Sequence, residues 1–171
     1  MNTLCDAVSK CFGQGNPPSC ADLVISDGLD PFEKEDALAF YGGKTWQDVF
    51  AYLQGIKGNP AYGAAYFLEE WSVLNPVYLA YYLRAHLENV LENLASVAPD
   101  TEFVLHLLDE LRHIPRLHKG SPFTHAQTAL LRWLAQYVRD CAAKDNMSVY
   151  QERDIEERAT QLLADLDAYG G

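Results

Sequence analysis

The chain has 171 residues, 49% of them hydrophobic and 22% charged, with a formal net charge of -11. That balance excludes wholesale disorder and predicts one globular domain, residues 1–171, with a sizeable core. The excess of carboxylates argues against gripping a nucleic-acid backbone, whose counterions must be displaced by Lys and Arg, and it would steer a cationic partner towards this surface.

No apolar stretch approaches the ~18 residues needed to cross a bilayer. Asp6, Lys10 and Gln14 interrupt the only apolar run near the N-terminus, so neither a signal peptide nor a membrane partner is expected. The four cysteines, Cys5, Cys11, Cys20 and Cys141, form no C-x-x-C pair and match no common zinc spacing. The expectation is a cytoplasmic protein with reduced thiols, in which Cys5 and Cys141 serve as small core residues.

In chain order, Leu4, Ala7, Val8 and Cys11 predict a short amphipathic helix over Thr3 to Phe12, ended by Gly13 and Gly15. Asn16-Pro17-Pro18-Ser19 is a turn or loop. Leu23-Val24-Ile25 is the one strongly β-favouring triplet; too short to found a sheet and with no evident partner, it reads as a loop or buried extended segment. Asp30-Pro31-Phe32-Glu33 starts a helix through a capping box with proline at the first position, and Gly42-Gly43 stop it after Tyr41. Thr45 and Asp48 form a second box, opening a helix whose inner face carries Trp46, Val49, Phe50 and Leu53. Gly55 to Gly63 is a loop, and Ala64 to Leu74 is predicted helical.

Asn75 to Asn93 is the central element. Asn75 caps, Pro76 takes the first position, and Leu79, Leu83, Leu87, Val90 and Leu94 recur at 4-4-3-4 to form one stripe. Tyr78, Tyr81 and Tyr82 lie off that stripe, so the first half is apolar on nearly every side, as in a buried helix. Glu88, Asn89, Glu92 and Asn93 give the second half a wet face. A helix over Glu102 to Ile114 follows, with Pro115 and Gly120 bracketing a basic connector of Arg116, His118 and Lys119. Ser121-Pro122 opens a long helix to about Cys141. The last helix, about 149–168, carries Ile155, Ala159, Leu162, Leu166 and Tyr169 at 4-3-4-3. Barely two heptads long, that seam suits a helix docked on its own domain; a homodimer joined through it is the alternative. The fold class is therefore all-α: a single-domain orthogonal bundle of about seven helices.

Three constellations invite chemistry. His106, Asp109, Glu110 and His113 share one helical stripe, and His106, Glu110 and His113 are the candidate metal ligands. The stripe lies about 130° from the apolar face, where a solvated face is the ordinary outcome. An aromatic concentration runs from Tyr62 to Tyr82 and is either core or a stacking surface. Glu70, Trp71 and His86, with Tyr78 and Tyr82, can be drawn as a polar-edged pocket. No phosphate-cradling glycine loop or nucleophile elbow is present, and no catalytic residue or cofactor is assigned. Charge is uneven: Asp22 to Asp36 holds Asp22, Asp27, Asp30, Glu33, Glu35 and Asp36 against Lys34 alone, and the stretch from Ala85 to Glu110 has six carboxylates and no Lys or Arg.

At Asp36-Ala-Leu-Ala-Phe-Tyr-Gly-Gly-Lys-Thr-Trp-Gln-Asp-Val49, followed by Tyr66-Phe-Leu and Asn75-Pro-Val-Tyr-Leu-Ala-Tyr-Tyr-Leu-Arg-Ala85, the chain resembles a family of uncharacterised small bacterial all-helical proteins. In that family a Gly-Lys-x-Trp-x-x-Val segment precedes an aromatic run ending in Tyr-Tyr-Leu-Pro-Ala. Here Arg84 stands in place of the second proline, so the central helix can run on without a kink. The resemblance covers about residues 30–95. It implies a bacterial, soluble, helical protein and carries over no catalytic residue.

The functional expectation is a non-enzymatic acidic module that occludes a cationic protein, as an immunity protein or antitoxin does, with Tyr78, Tyr82, Glu88, Glu92 and Asp109 meeting the partner. The alternative is an enzyme or a small-ligand or metal-binding protein with an aromatic pocket near Trp71, Tyr78 and Tyr82.

Overall fold

A computed structural model describes residues 2–24, 31–56, 73–95, 101–117, 122–142 and 149–169. Among them are eight helices: α1 Asn2–Cys11, α2 Cys20–Leu23, α3 Pro31–Tyr41, α4 Trp46–Ile56, α5 Pro76–Leu94, α6 Thr101–Leu117, α7 His125–Ala142 and α8 Val149–Tyr169. The chain is an all-α helical bundle.

α5 is central, as its stripe predicts. Leu79, Leu83, Leu87 and Val90 have no exposed surface, and Leu94 only 5%. The Asn75 side chain accepts from Val77 N, with proline at the first helical position, and the helix passes through Arg84 unbroken. α5 packs on α4, α1 and α6. α8 packs on α7 and α6, and α1 joins the two groups by touching both α5 and α7. In α8, Ile155, Ala159 and Leu162 are wholly buried and Leu166 nearly so. The seam is thus filled within the chain, against α6 and α7.

Three elements differ from expectation, and a fourth lies mostly outside the described residues. Cys20–Leu23 is a turn of helix, and the extended residue after it, Val24, forms an isolated antiparallel bridge with Leu74. Asn75 N also donates to Leu23 O at 2.8 Å. The partner that this segment lacked in sequence lies about 50 residues away, directly before α5. The helix expected over 64–74 falls outside the described residues except at Val73 and Leu74, which are a turn and that bridge. α6 continues through Pro115 and ends two residues later, at Leu117. α7 begins at His125 rather than just after Ser121-Pro122. Thr124 and Gln127 form a reciprocal box there, Thr124 N donating to Gln127 Oε1 (2.9 Å) and Gln127 N to Thr124 Oγ1 (3.3 Å).

Buried leucines of this kind contribute through both transfer from water and packing. Leu83→Ala is expected to lower unfolding free energy by roughly 2–5 kcal/mol. Val77→Ala, on the same helix but 76% exposed, is expected to change it by no more than about 0.5 kcal/mol. Urea unfolding of the two variants checks the pair.

Candidate functional site

Among the described residues, polar side chains gather where the α3–α4 corner meets α5. Gly43 turns the chain at φ 69°, a conformation costly for residues with a Cβ. Lys44 then folds back, its ammonium donating to the carbonyls of Ala39 (3.0 Å) and Phe40 (2.5 Å) and so capping α3. Thr45 and Asp48 make the expected box: Thr45 N donates to Asp48 Oδ2 at 2.8 Å and Asp48 N to Thr45 Oγ1 at 3.2 Å. Hydrogen bonds from Thr45 hold the Asp48 carboxyl below its ordinary pKa.

Three side chains of α5 clamp this corner. The Tyr82 hydroxyl shares its proton between Tyr41 O (3.0 Å) and Lys44 O (2.9 Å). The Tyr81 hydroxyl accepts from Trp46 N (3.4 Å). The Arg84 guanidinium lies 3.7 Å from the Trp46 ring centroid while its Nε donates to Glu88 (2.8 Å) and its Nη1 to Ser9 O (3.3 Å). Gly13 makes room: it sits at φ 69°, and a Cβ there would come within 2.4 Å of Arg84 Cδ.

One turn further along, His86 is fully buried. Its Nε2 is 3.1 Å from the Tyr41 hydroxyl, and its ring stacks towards Phe103 of α6 at 6.5 Å. Burial pushes the imidazole down from its ordinary 6.5 to about 3, so it is neutral at pH 7. The same burial pushes the Tyr82 phenol up. Asn89 and Asn93, expected on a wet face, are 5% and 1% exposed, and Asn89 Oδ1 accepts from Gln54 of α4 at 2.8 Å. Tyr82, His86, Asn89 and Asn93 thus form a second buried stripe at 4-3-4, beside the leucines. Their spacing was a helical signal; their polarity obscured it.

The residues expected to meet a partner separate. Glu92 is exposed and Tyr78 half-buried. Tyr82 is not a surface residue at all, because its ring packs against Tyr41 and Tyr81 at 4.7 and 5.0 Å. Glu88 is committed to Arg84. Asp109 is committed to Arg158 of α8 and to Arg112, which also binds Asp165 at 2.9 Å. In the expected aromatic pocket, Tyr82 and His86 are sealed in the core, while Glu70 and Trp71 lie outside the described residues.

The candidate metal ligands do not converge. His106 and His113 are exposed, and His113 Nδ1 is 4.0 Å from Glu110. Among the described residues no three ligating side chains are arranged to hold an ion. Between α6 and α8 lies an open cleft of about 340 Å³ lined by Asp109, Arg112, Asp154, Glu157, Arg158 and Gln161. Both of its arginines already have carboxylate partners within the chain. All four cysteines are free; Cys5, Cys11 and Cys141 are half-buried against the core and Cys20 is exposed. No helix among the described residues is long and apolar enough to cross a membrane.

No protein-family model, no curated protein and no solved structure matches the chain.

Two predictions follow from the clamp. Tyr82→Phe removes the shared proton, leaving the Lys44 carbonyl without it and the Tyr41 carbonyl with only the Lys44 N–H, which is expected to cost about 1–3 kcal/mol in chemical denaturation with the fold retained by circular dichroism. For His86, the unfolded chain binds a proton below about pH 6.5 while the folded chain does not until about pH 3. Its contribution is therefore full above pH 6.5 and falls as pH drops through that window, by up to about 1.4 kcal/mol per pH unit. Unfolding free energies measured at pH 7, 5 and 4 are expected to decline less steeply for His86→Leu than for the parent chain.

Proposed function

We propose that the chain is a non-enzymatic acidic binding module that covers a cationic protein surface, as an immunity protein or antitoxin does in a bacterial cytoplasm. The observation that carries this reading is where the positive charge goes. Arg84, Arg112, Arg132 and Arg158 all pair with carboxylates of their own chain. The net charge of -11 is therefore carried by carboxylates at the surface, among them Asp22, Glu35, Glu92, Glu102, Asp154 and Glu156, all exposed. Such a field raises encounter rates with a positive partner and is screened by salt.

The polar groups drawn together at the α3–α4 corner act as a fastening. Their hydrogen bonds close on main-chain carbonyls and amides, which leaves the surface charge as the feature available for recognition. Immobilised chain exposed to host extract is expected to retain a basic protein at about 0.05 M salt, with association at least tenfold slower at about 0.5 M. Absence of any basic partner, or an association rate indifferent to salt, would overturn the reading.

A further inference from the structure

We infer that α1 is a hinged strap that opens while the rest of the bundle stays folded, and that Arg84 is the latch through which α4 feels it open. α1 has 10 residues, too few to hold a helix in water without packing. Its apolar face is Leu4, Val8 and Phe12, all buried where α1 meets α5 and α7. Lifting it uncovers that face and its seat, but leaves α5 packed on α4 and α6, and α8 on α6 and α7. A terminal helix with so small a seat is the least costly part of such a bundle to release.

Behind α1 the chain has a swivel and a stop. Gly15 sits at φ 89°, where a Cβ would find nothing within 4 Å, so the backbone there is both permissive and uncrowded. Pro17 and Pro18 follow, their φ fixed by the rings, and Pro18 is buried. On the other side Gly13 is tied down, its N–H donating to Ala80 O of α5 at 3.2 Å. Once that bond lets go, rotation concentrates at Gly15.

The latch is polar and lies at the C-terminal end of α1, whose last carbonyls have no donor within the helix. Ser9 O accepts from Arg84 Nη1 of α5 at 3.3 Å, and Cys11 O from Gln127 Nε2 of α7 at 2.9 Å. The Arg84 cation also answers the negative end of the helix dipole. The two donors differ in what else they hold. Gln127 otherwise serves the Thr124 box at the start of its own helix. Arg84 lies 3.7 Å from the ring centroid of Trp46, the first residue of α4, and its Nε donates to Glu88. A guanidinium is flat and rigid, so one plane serves all three contacts. A Cβ on Gly13 would collide with Arg84 Cδ and lie 3.0 Å from Trp46 Cδ1, so the exit of α1, Arg84 and Trp46 are packed on one another. Release of α1 therefore loosens the stack on Trp46, whereas loss of the Gln127 contact leaves it in place.

Hydrogen–deuterium exchange of the full chain, followed peptide by peptide, tests both parts, with α8 as the reference for any general loss of stability. In the unsubstituted chain the amides of α1 are expected to exchange together, at least about tenfold faster than those in the middle of α5 and α8. Arg84→Met is expected to speed exchange in α1, and in α4 from Val49 onward, by at least about tenfold relative to α8. Gln127→Glu keeps the box with Thr124 but removes the donor to Cys11 O, and is expected to speed α1 alone. Protection of α1 equal to that of α5 in the unsubstituted chain would overturn the strap. Exchange in α4 that Arg84→Met leaves unchanged relative to α8, or that Gln127→Glu speeds as much, would overturn the latch.

Discussion

A single phenolic proton, shared by the carbonyls of Tyr41 and Lys44, determines how the first half of this molecule is put together. A turn built on Gly42 and Gly43 leaves helix-end carbonyls that need donors, and in a buried setting an unmet carbonyl is expensive. α5 supplies the donor from Tyr82, so a helix that is apolar on almost every side still carries polar tips where the corner requires them. Tyr81 and Arg84 act on Trp46 from the same helix, and Lys44 closes the last carbonyls of α3 from within the turn. The Gly-Gly-Lys-Thr-Trp segment and the Tyr-Tyr-Leu-Arg segment are thus two halves of one joint.

Charge is handled in a complementary way. Guanidinium groups bind carboxylates across helices, Arg112 to Asp165 and Arg158 to Asp109 between α6 and α8, and Arg132 to Asp167 between α7 and α8. These pairs are part-exposed, so each adds little to stability. Each pair also cancels one positive against one negative charge. The acidic character of the exterior follows from the surplus of carboxylates that remains, 24 Asp and Glu against 13 Lys and Arg.

Much of the scaffold was legible because its signals are local. Asn75-Pro76 at the start of α5, the Thr45–Asp48 box and the leucine stripe each involve residues within a turn or a few turns of one another. What could not be read depends on distant partners. Val24 has an extended partner only because Leu74 returns to it. Asn89 looks solvated until Gln54 is placed beside it. Asp109 and Glu88 look like free acids, yet one faces α8 and the other bonds a guanidinium four residues back that Trp46 holds in place. On α3 the exposure of Phe32 could not be read either, since periodicity alone does not say which side of the helix is covered.

Gln127 on α7 donates to the carbonyl of Cys11 at the end of α1, across 116 residues of chain. α1 otherwise rests on α5. During synthesis, then, α1 waits for α7 before its neighbourhood is complete, and loop-closure entropy must be overcome over that whole separation. A nascent chain halted before α7 would present the amphipathic face of α1 half uncovered, a ready target for chaperones at the ribosome exit.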